Sequence, residues 1–415
     1  MSFKRHYVLH ILFISIVVVS TYVYRPLLPI KAETKQSLGY PKDSLLNFTQ
    51  LSYKYGYISE EHNVITEDGY ILSMFRIQGR NCMKRRQPPV LLMHGLLQSS
   101  DSWLDAGPRA GLAYLLSDAC YDLWVGNQRG NYYGRRHTTL NPDKDEKFWE
   151  FSVDEIGLYD IPAAIEYVLK KTSSKKVNYI GYSQGSGSFF IMCSERPGFC
   201  DKVNLFIGLA PASRQTHTRS VAYRALCGIM ERFSIYFTFS GIREVFSKGA
   251  LSQEFMAYLC QSSTLSNNIC GEFIALLDSY HPGSITNKTT QVLFGHFPAG
   301  TSLKNFARYG QSMKSRDFKK FDYGKSWNIK FYGSEKPPSY NLSAVTVPAV
   351  VLYGKNDYLV DVKDVKWLLR KLPNVLEAVE VSDPLWNHLD MTYSRHTNEA
   401  VFPKINEYLL RYSRS

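Results

Sequence analysis

Ser183 lies between Gly181 and Gly185 in the sequence Gly-Tyr-Ser-Gln-Gly, a spacing that can serve nucleophilic chemistry. The apolar run before this serine is typical of a buried strand, and the residues after it are typical of a helix. Glycines allow the crowded turn that holds a serine hydroxyl above the end of a sheet, and the next helix directs N–H groups toward developing negative charge. The two glycines could instead serve only to let the helix pack closely against the strand. The strand–turn–helix context, however, favours a nucleophilic serine.

A serine hydroxyl becomes a useful nucleophile only when a base accepts its proton and an acid orients that base. In chains with this kind of corner, the acid and then the histidine follow the serine. Asp357 comes just after the apolar run VPAVVLYG, where the end of a parallel strand would carry a catalytic loop. His388 lies in WNHLDM, after the next predicted strand. We therefore expect Ser183, Asp357 and His388 to form a catalytic triad for acyl transfer.

Other acids and histidines could take the last two roles. Asp361 could be the acid, with the earlier aspartate as a turn residue, although Asp361 also suits the N-cap of a helix predicted over VKDVKWLLRKL. His296 or His396 could be the base, but neither follows a predicted strand of the core. His217 and His281 fall outside the predicted core.

Acyl transfer also needs two N–H donors for the oxyanion of the tetrahedral intermediate. The backbone N–H of Gln184, directly after the serine, is one candidate. The second should come from the loop after the first core strand, and we assign it to Leu96, which follows His94 and Gly95. That His-Gly pair could instead be an ordinary turn at the end of a strand. Chemistry of this kind requires no cofactor and no metal ion.

The elements that would position these residues alternate between strand and helix along the chain. Strands are predicted over HNVITEDGYILSMFRI (two, joined by a turn), PPVLLMHG, YDLWVGN, KVNYIGY, VNLFIGLAP, VPAVVLYG and LEAVEVS. Helices are predicted over GLAYLLSDA, FSVDEIGLYDIPAAIEYVLKKT, QGSGSFFIMCSE, VKDVKWLLRKL and EAVFPKINEYLLRY. This alternation predicts an α/β fold with a mainly parallel sheet.

Residues 213–338 break this pattern, because they are aromatic, helical in places, interrupted by Gly and Pro, and without the signature of a buried strand. We expect them to form a helical cap inserted into one core. The predicted organisation is a signal peptide or signal anchor at 1–24, a linker at 25–46, core at 47–212, cap at 213–338 and core again at 339–415. Lys4 and Arg5 before a long apolar run predict the leader, so the body would be secreted, lysosomal, or anchored by residues 7–24.

The composition agrees with export. The net charge of +12 comes from scattered Lys and Arg side chains, which does not favour nucleic-acid binding, although transient contact with an anionic lipid surface would suit it. Asn47, Asn287 and Asn341 are N-glycosylation acceptors. Of seven cysteines, Cys260 and Cys270 flank a short polar loop, and we expect them to form a disulfide; no pairing follows for the other five. The oligomeric state is not predicted.

Ordered motifs along almost the whole chain carry a resemblance to a known family. Between residues 47 and 412 they include SEEHNVITEDGYIL, LLMHGLLQSSDSW, YDLWVGNQRGNYYGRRH, GYSQG, CQSSTLSNNICG, GHFPAGTS, VPAVVLYGKND and NHLD. These motifs are similar to those of the acid lipases, the family of gastric lipase, lysosomal acid lipase and their insect relatives. The resemblance implies an α/β-hydrolase fold with a cap and lid. It also implies a serine ester hydrolase, of lipase or sterol esterase type, that acts on triacylglycerols or cholesteryl esters, usually at acid pH.

The resemblance implies that the family's catalytic and oxyanion positions coincide with those chosen above, and its cap disulfide with Cys260 and Cys270. Two departures could change the shape of the acyl pocket: Tyr182 replaces the usual histidine, and SGSFF replaces a run with paired threonines. An aromatic cap suits the burial of an acyl chain, which favours a fatty ester. The alternatives are a catalytically silent lipid-binding or yolk-type protein, and a thioesterase or small-ester carboxylesterase on the same fold.

Overall fold

The computed structural model of the chain describes residues 30–82, 85–260 and 264–414. The leader predicted at residues 1–24 lies outside these described residues. Among the helices in the described ranges, none has both the length and the apolar character that crossing a bilayer requires.

Most strands of the described chain belong to one eight-stranded sheet. The strands are β1 (Ile58–Ile65), β2 (Ile71–Gln78), β3 (Arg86–Met93), β4 (Tyr121–Gly126), β5 (Val177–Tyr182), β6 (Val203–Leu209), β7 (Glu244–Val245), β8 (Thr301–Ser302), β9 (Ala349–Tyr353) and β10 (Val375–Glu380). The sheet has the order β1-β2-β4-β3-β5-β6-β9-β10, and β7 pairs separately with β8. Only the pairs β1–β2 and β2–β4 of this sheet are antiparallel. The prediction of a mainly parallel sheet is therefore confirmed.

Helices cover both faces of the sheet. They are α1 (Ala32–Ser37), α2 (Phe48–Lys54), α3 (Leu112–Asp118), α4 (Val153–Glu155), α5 (Ile161–Thr172), α6 (Gln184–Glu195), α7 (Val221–Arg232), α8 (Ser234–Phe239), α9 (Leu251–Leu259), α10 (Thr264–Leu277), α11 (Asn287–His296), α12 (Leu303–Lys314), α13 (Lys325–Tyr332), α14 (Val362–Leu369), α15 (Asp390–Tyr393), α16 (Thr397–Ala400) and α17 (Phe402–Arg411). Side chains of a strand alternate between its two faces. Leu91 therefore packs with α5 and α6, whereas Leu92 packs with α2, α3 and α17.

Residues 213–338, which we call the cap segment, lie between β6 and β9 in the chain. Because β6 and β9 are neighbours in the sheet, the chain leaves the sheet for the cap segment and then returns to the adjacent position. The segment contains α7 to α13. It also contains the short antiparallel pair β7–β8. Its apolar side chains, among them Met230 and Phe306, form a cluster against which Leu96 and Leu97 of the core pack.

Part of the predicted linker, residues 25–46, belongs to the packed structure. Tyr40 is buried in an apolar cluster that also contains Cys260 and Cys270 of the cap segment. The Nζ atom of Lys35 lies 2.5 Å from a carboxylate oxygen of Glu254. This stretch is therefore attached to the cap segment rather than being a free connector.

Three disulfides close loops in the described chain, and they join Cys82 to Cys120, Cys193 to Cys200, and Cys260 to Cys270. The Cα atoms of these pairs are 5.4, 4.9 and 5.8 Å apart, within the range that a disulfide spans. The third pair joins the end of α9 to α10 and is the one that the sequence suggested. Cys227 is a free cysteine, and it is buried.

Two predicted helices are interrupted. The final one is divided into α16 and α17, because Pro403 lacks an N–H and is suited to the first turn of a new helix. The helix predicted from Phe151 begins with a capping box formed by Ser152 and Glu155, but its residues Ile156–Asp160 form a π-helical stretch between α4 and α5. Apolar periodicity does not report such local changes in winding.

The close approach of α6 to β3 gives a first testable prediction. A Cβ atom at Gly185 would lie 2.3 Å from the carbonyl oxygen of Met93, so backbone would have to move. We expect Gly185→Ala to cost about 1–3 kcal/mol of stability, as overpacking does. Gly228→Ala is the matched control, because Gly228 also lies in a helix but has no neighbour within 4 Å of such a Cβ. That control should gain about 0.5–1 kcal/mol.

Thermal unfolding of both variants measures the difference. Gly185→Ala should melt below the unchanged protein and Gly228→Ala at or above it. Equal melting temperatures for the two variants would show that the chain does not need a glycine at position 185.

Candidate active site

Ser183 occupies the sharp corner between β5 and α6. Its backbone has φ 50° and ψ −115°, a conformation that a non-glycine residue rarely adopts and that costs on the order of 1–3 kcal/mol. Hydrogen bonds hold the corner, since the N–H of Ser183 donates to Leu209 (2.9 Å) and its carbonyl accepts from Ser186 (3.0 Å) and Ala212 (3.1 Å). The corner thus turns the hydroxyl away from the sheet and toward the loops after β9 and β10.

One chain of hydrogen bonds links the serine to a histidine and an aspartate. The Oγ atom of Ser183 lies 2.8 Å from Nε2 of His388, and Nδ1 of His388 lies 2.7 Å from Oδ2 of Asp357. The three residues are buried, with 8%, 4% and 0% of their surface exposed respectively. A base within this distance of a serine hydroxyl can accept its proton, and a carboxylate on the other ring nitrogen selects the required tautomer.

The acid of this chain is held by its own loop. Asp357 follows β9, and its second oxygen, Oδ1, accepts the backbone N–H groups of Leu359 (2.9 Å) and Val360 (2.6 Å). Burial alone would lower the pKa of the His388 imidazole, but the nearby carboxylates of Asp357 and Asp278 raise it on balance. A protonated imidazole at His388 is therefore stabilised by its surroundings.

Tyr182, the residue before the serine, supports the histidine loop. Its ring lies beside the His388 imidazole, with centroids 5.0 Å apart, and its hydroxyl donates to the His388 carbonyl oxygen at 3.0 Å. In the sequence, Tyr182 is only a departure from the family's usual histidine that could change the shape of a pocket. The hydrogen bond gives this tyrosine a role that its position in the motif did not reveal.

The two N–H groups expected to bind an oxyanion are free to do so. In the part of the chain that the structure describes, neither the N–H of Leu96 nor that of Gln184 donates to a protein acceptor. Leu97, next to Leu96, has a φ of 61°, and its carbonyl accepts the N–H of Ala299 (2.7 Å). The N–H of Gly95 donates to Oε1 of Gln98 (2.9 Å). The loop is thus fixed from the core and from the cap segment.

The side chain of Gln184 ties the start of α6 to α12 of the cap segment. Its Oε1 accepts from Nδ2 of Asn305 and from the hydroxyl of Tyr309, both at 2.9 Å. Its Nε2 donates to Oε1 of Gln128 at 2.5 Å. The backbone N–H beside the serine therefore belongs to a residue whose side chain is held at both its oxygen and its nitrogen.

The other acids and bases considered from the sequence have partners elsewhere. Asp361 caps α14 by accepting the N–H of Lys363 (2.8 Å). His296 pairs with Asp105 at 2.7 Å, and His396 lies on the surface beside a glutamate. His217 and His281 bind carboxylates of Asp364 and Asp390. None of these histidines is hydrogen-bonded to Ser183 among the described contacts.

An apolar cavity of about 340 Å³ opens at the serine and the histidine. Most of its lining is hydrocarbon from the cap segment and the adjoining core, including Leu226, Phe246, Leu277, Leu293, Phe306 and Leu359. Polar groups are the minority of the lining, and Ser183 and His388 are among them, as in sites that bury an apolar ligand and orient it through a few polar groups. No group of three or more His, Cys, Asp or Glu side chains in the described residues is arranged to hold a metal ion.

The three N-glycosylation acceptors, Asn47, Asn287 and Asn341, are exposed. Asn47 caps α2, because its Oδ1 accepts the N–H of Gln50 (2.9 Å). Glycan attachment uses the other side-chain atom, Nδ2, so capping and modification are compatible. Glycosylation of these sites stays a prediction.

The contrast between Asp357 and Asp361 gives a second prediction. Asp357→Asn should leave the fold intact but favour the wrong tautomer of His388, a change that costs about 10⁴ in turnover in a serine protease. Asp361→Asn keeps a residue that can cap α14 and loses the ion pair with the half-exposed Arg219, so it should cost at most about 1 kcal/mol of stability. The rate at which a fluorophosphonate labels Ser183 measures the difference in reactivity between the two variants. In this reaction Ser183 Oγ forms a bond to phosphorus as fluoride leaves, and His388 takes the proton. We expect slow labelling of Asp357→Asn and normal labelling of Asp361→Asn.

Melting temperatures of both variants serve as the control for folding. Slow labelling of Asp361→Asn together with normal labelling of Asp357→Asn would transfer the acid's role to Asp361.

Comparison with known proteins places this arrangement in a family. Residues 48–107 match the profile of the partial alpha/beta-hydrolase lipase region, and residues 88–222 match that of the alpha/beta hydrolase fold. A soluble variant of monoglyceride lipase from Saccharomyces cerevisiae superposes with a TM-score of 0.52 at 13% identity, over 90% of this chain and 98% of that one. This likeness concerns the fold alone, which is the α/β-hydrolase fold.

Two relatives match in sequence over most of their length. Lipase 1 of Drosophila melanogaster is 41% identical over 371 residues, which cover 89% of this chain and 80% of that protein. Gastric triacylglycerol lipase of Bos taurus is 36% identical over 367 residues, which cover 88% of this chain and 91% of that protein. On this evidence, the chain belongs to the acid lipase family.

Proposed function

We propose that this chain is a lipase that hydrolyses fatty acyl esters, triacylglycerol or cholesteryl ester, through an acyl-enzyme on Ser183. The observation that carries the proposal is the hydrogen-bonded chain from Ser183 through His388 to Asp357 at the wall of an apolar cavity. Nucleophile, base and acid are within reach of one another, and the substrate's hydrocarbon has a place beside them.

In the first step, Nε2 of His388 takes the proton of the Ser183 hydroxyl as Oγ attacks the ester carbonyl carbon. The carbonyl oxygen becomes an oxyanion, which accepts hydrogen bonds from the N–H groups of Leu96 and Gln184. Asp357 stabilises the imidazolium. The imidazolium then gives its proton to the leaving alcohol, and the acyl group stays on Ser183.

In the second step, water attacks the acyl-enzyme while His388 removes its proton. The same N–H groups stabilise the second oxyanion. When this intermediate collapses, the fatty acid leaves and Ser183 regains its proton from His388. Every proton in the cycle passes through Nε2 of one histidine, so no cofactor takes part.

The cavity supports a long acyl chain as the group transferred. Each methylene that moves from water into an apolar site contributes about 0.8 kcal/mol, so a fatty chain gains far more here than an acetyl group does. The name of gastric triacylglycerol lipase, a relative at 36% identity, supports triacylglycerol as the first substrate to test.

Large apolar side chains on the outside of the cap segment support contact with a lipid surface. They include Val221, Ile235, Tyr236, Phe239 and Phe255, and Phe239 is 92% exposed. Three of them, Ile235, Tyr236 and Phe239, lie on the short helix α8, and exposed apolar side chains grouped in this way are uncommon away from interaction sites. The three disulfides support residence in the secretory pathway, because such bonds persist in oxidising compartments.

Substrate preference tests the proposal. We expect hydrolysis of emulsified triolein or cholesteryl oleate to exceed that of a short soluble ester, compared at acid and neutral pH. Ser183→Ala should abolish both activities and also the fluorophosphonate labelling.

Each rival has its own outcome. A chain that binds lipid but neither hydrolyses esters nor labels would be a silent lipid-binding protein. Preference for the short ester or for a thioester would instead make it a carboxylesterase or a thioesterase.

The support of His388 by Tyr182 gives a further prediction. Tyr182→Phe keeps the ring but removes the hydrogen bond to the His388 carbonyl, a bond worth about 1 kcal/mol. If the hydrogen bond holds the imidazole in the position that catalysis needs, its loss should lower turnover about fivefold. Tyr121→Phe is the matched control, since it removes a buried hydroxyl that bonds Asn406 (2.8 Å) away from the site.

Turnover per labelled serine, measured on a soluble ester, separates the two tyrosines. Both variants can lose stability, but only Tyr182→Phe should lose turnover. An unchanged turnover in Tyr182→Phe would make its hydroxyl a structural group only.

A further inference from the structure

Asp278 is a buried carboxylate directly after α10 of the cap segment, with 1% of its surface exposed. Its Oδ1 accepts the backbone N–H of Tyr358 (3.0 Å), and its Oδ2 accepts the backbone N–H of Leu389 (3.1 Å). Tyr358 directly follows Asp357, and Leu389 directly follows His388. One carboxylate therefore holds both loops at the residue next to the acid and next to the base.

We propose that Asp278 is a positioning residue for ester hydrolysis, which sets the distance between the loop of Asp357 and the loop of His388. This inference rests on the proposed function, since it assumes that those two residues act as acid and base. Asp278 itself does not line the cavity that we assign to the substrate.

The two residues after Asp278 extend the same contact. The hydroxyl of Ser279 donates to the carbonyl of Asn356 (2.6 Å), and its own carbonyl accepts Nδ2 of Asn387 (3.0 Å). The carbonyl of Tyr280 accepts Nδ2 of Asn356 (3.1 Å). Residues 278–280 are therefore hydrogen-bonded to the residue before and the residue after each of the two side chains, and none of these bonds goes to the carboxylate of Asp357 or the imidazole of His388.

This contact is stiff because it uses backbone donors. A backbone N–H cannot rotate away from its acceptor as a side chain can, and a carboxylate that accepts two of them fixes both peptides relative to each other. Asp357 and His388 stand on loops after different strands, β9 and β10. A misplacement of about 1 Å between catalytic groups can cost on the order of 10²-fold in rate.

Asp278 also contributes charge to the site. The titratable groups that face it are Asp357, His388 and Tyr182. Burial, and then the negative charge of Asp357, raise the pKa of Asp278 above that of an ordinary carboxyl group. In turn, its negative charge is one of the influences that raise the pKa of His388. In the pH range in which Asp278 is ionised, removal of that charge should lower the pKa of His388, so the neutral base should persist to lower pH.

Asp278→Asn is the informative variant, because the amide keeps the shape and one acceptor but loses the second acceptor and the charge. We expect kcat on a soluble short ester to fall at least tenfold with little change in KM, and the acid limb of the kcat/KM profile to move to lower pH. Asp278→Ala, which keeps no acceptor, should lower kcat further, to about 10²-fold below the unchanged protein. Counts of fluorophosphonate-labelled serines normalise every rate.

Asp364→Asn is the matched control. Asp364 is also buried, and it holds the start of the cap segment by accepting the N–H of His217 (2.8 Å) and Nε of Arg214 (2.8 Å). A lower melting temperature with unchanged kcat and pH profile is expected for this variant. The control separates positioning of the catalytic loops from attachment of the cap segment.

Two results would overturn the inference. One is an Asp278→Asn variant with the kcat and pH profile of the unchanged protein. The other is a loss of kcat in Asp364→Asn equal to that in Asp278→Asn. Failure of the proposed function would look different, because the unchanged protein would then neither label at Ser183 nor hydrolyse the ester.

Discussion

The left-handed backbone at Ser183 is the constraint on which the rest of the structure depends. A residue in this conformation keeps its place only when its surroundings hold it there. Here the surroundings are the backbone of β3 and of the segment after β6, against which α6 packs so closely that a Cβ at Gly185 or at Gly187 would lie 2.3 or 2.5 Å from a carbonyl oxygen. The buried strands β3 and β6 and the segment after β6 therefore hold this corner in its unusual conformation.

The groups that complete the site come from parts of the chain that are distant in sequence. The loops after β9 and β10 bring Asp357 and His388, while the loop after β3 brings Leu96. The cap segment contributes contacts to each of these loops through Asp278 and Ala299, and to Gln184 through α12. The cap segment is thus both a wall of the cavity and a support of the groups around the serine.

Much of the fold could be read from the sequence, because buried parallel strands are uninterrupted apolar runs and helices keep their periodicity. The order of motifs was also enough to choose Ser183, Asp357 and His388, which the structure joins by hydrogen bonds; their catalytic roles stay a proposal. The part that escaped prediction has no local pattern. A carboxylate such as Asp278, which accepts backbone N–H groups from two distant loops, looks like any surface aspartate in a sequence. The partners of Cys82 and Cys193 were equally unreadable, since cysteine pairs depend on tertiary proximity.

The unpaired Cys227 has a consequence for the chemistry of the folded chain. Its thiol is buried in α7, and burial raises its pKa, so it is held in the protonated form that neither attacks disulfides nor reacts with alkylating reagents. The odd cysteine is thereby kept from exchange with the three bridges for as long as α7 stays packed. When the three disulfides are formed, Cys227 can also report unfolding. A thiol reagent that becomes coloured on reaction would stay colourless with the native chain and would detect one thiol for each molecule that unfolds.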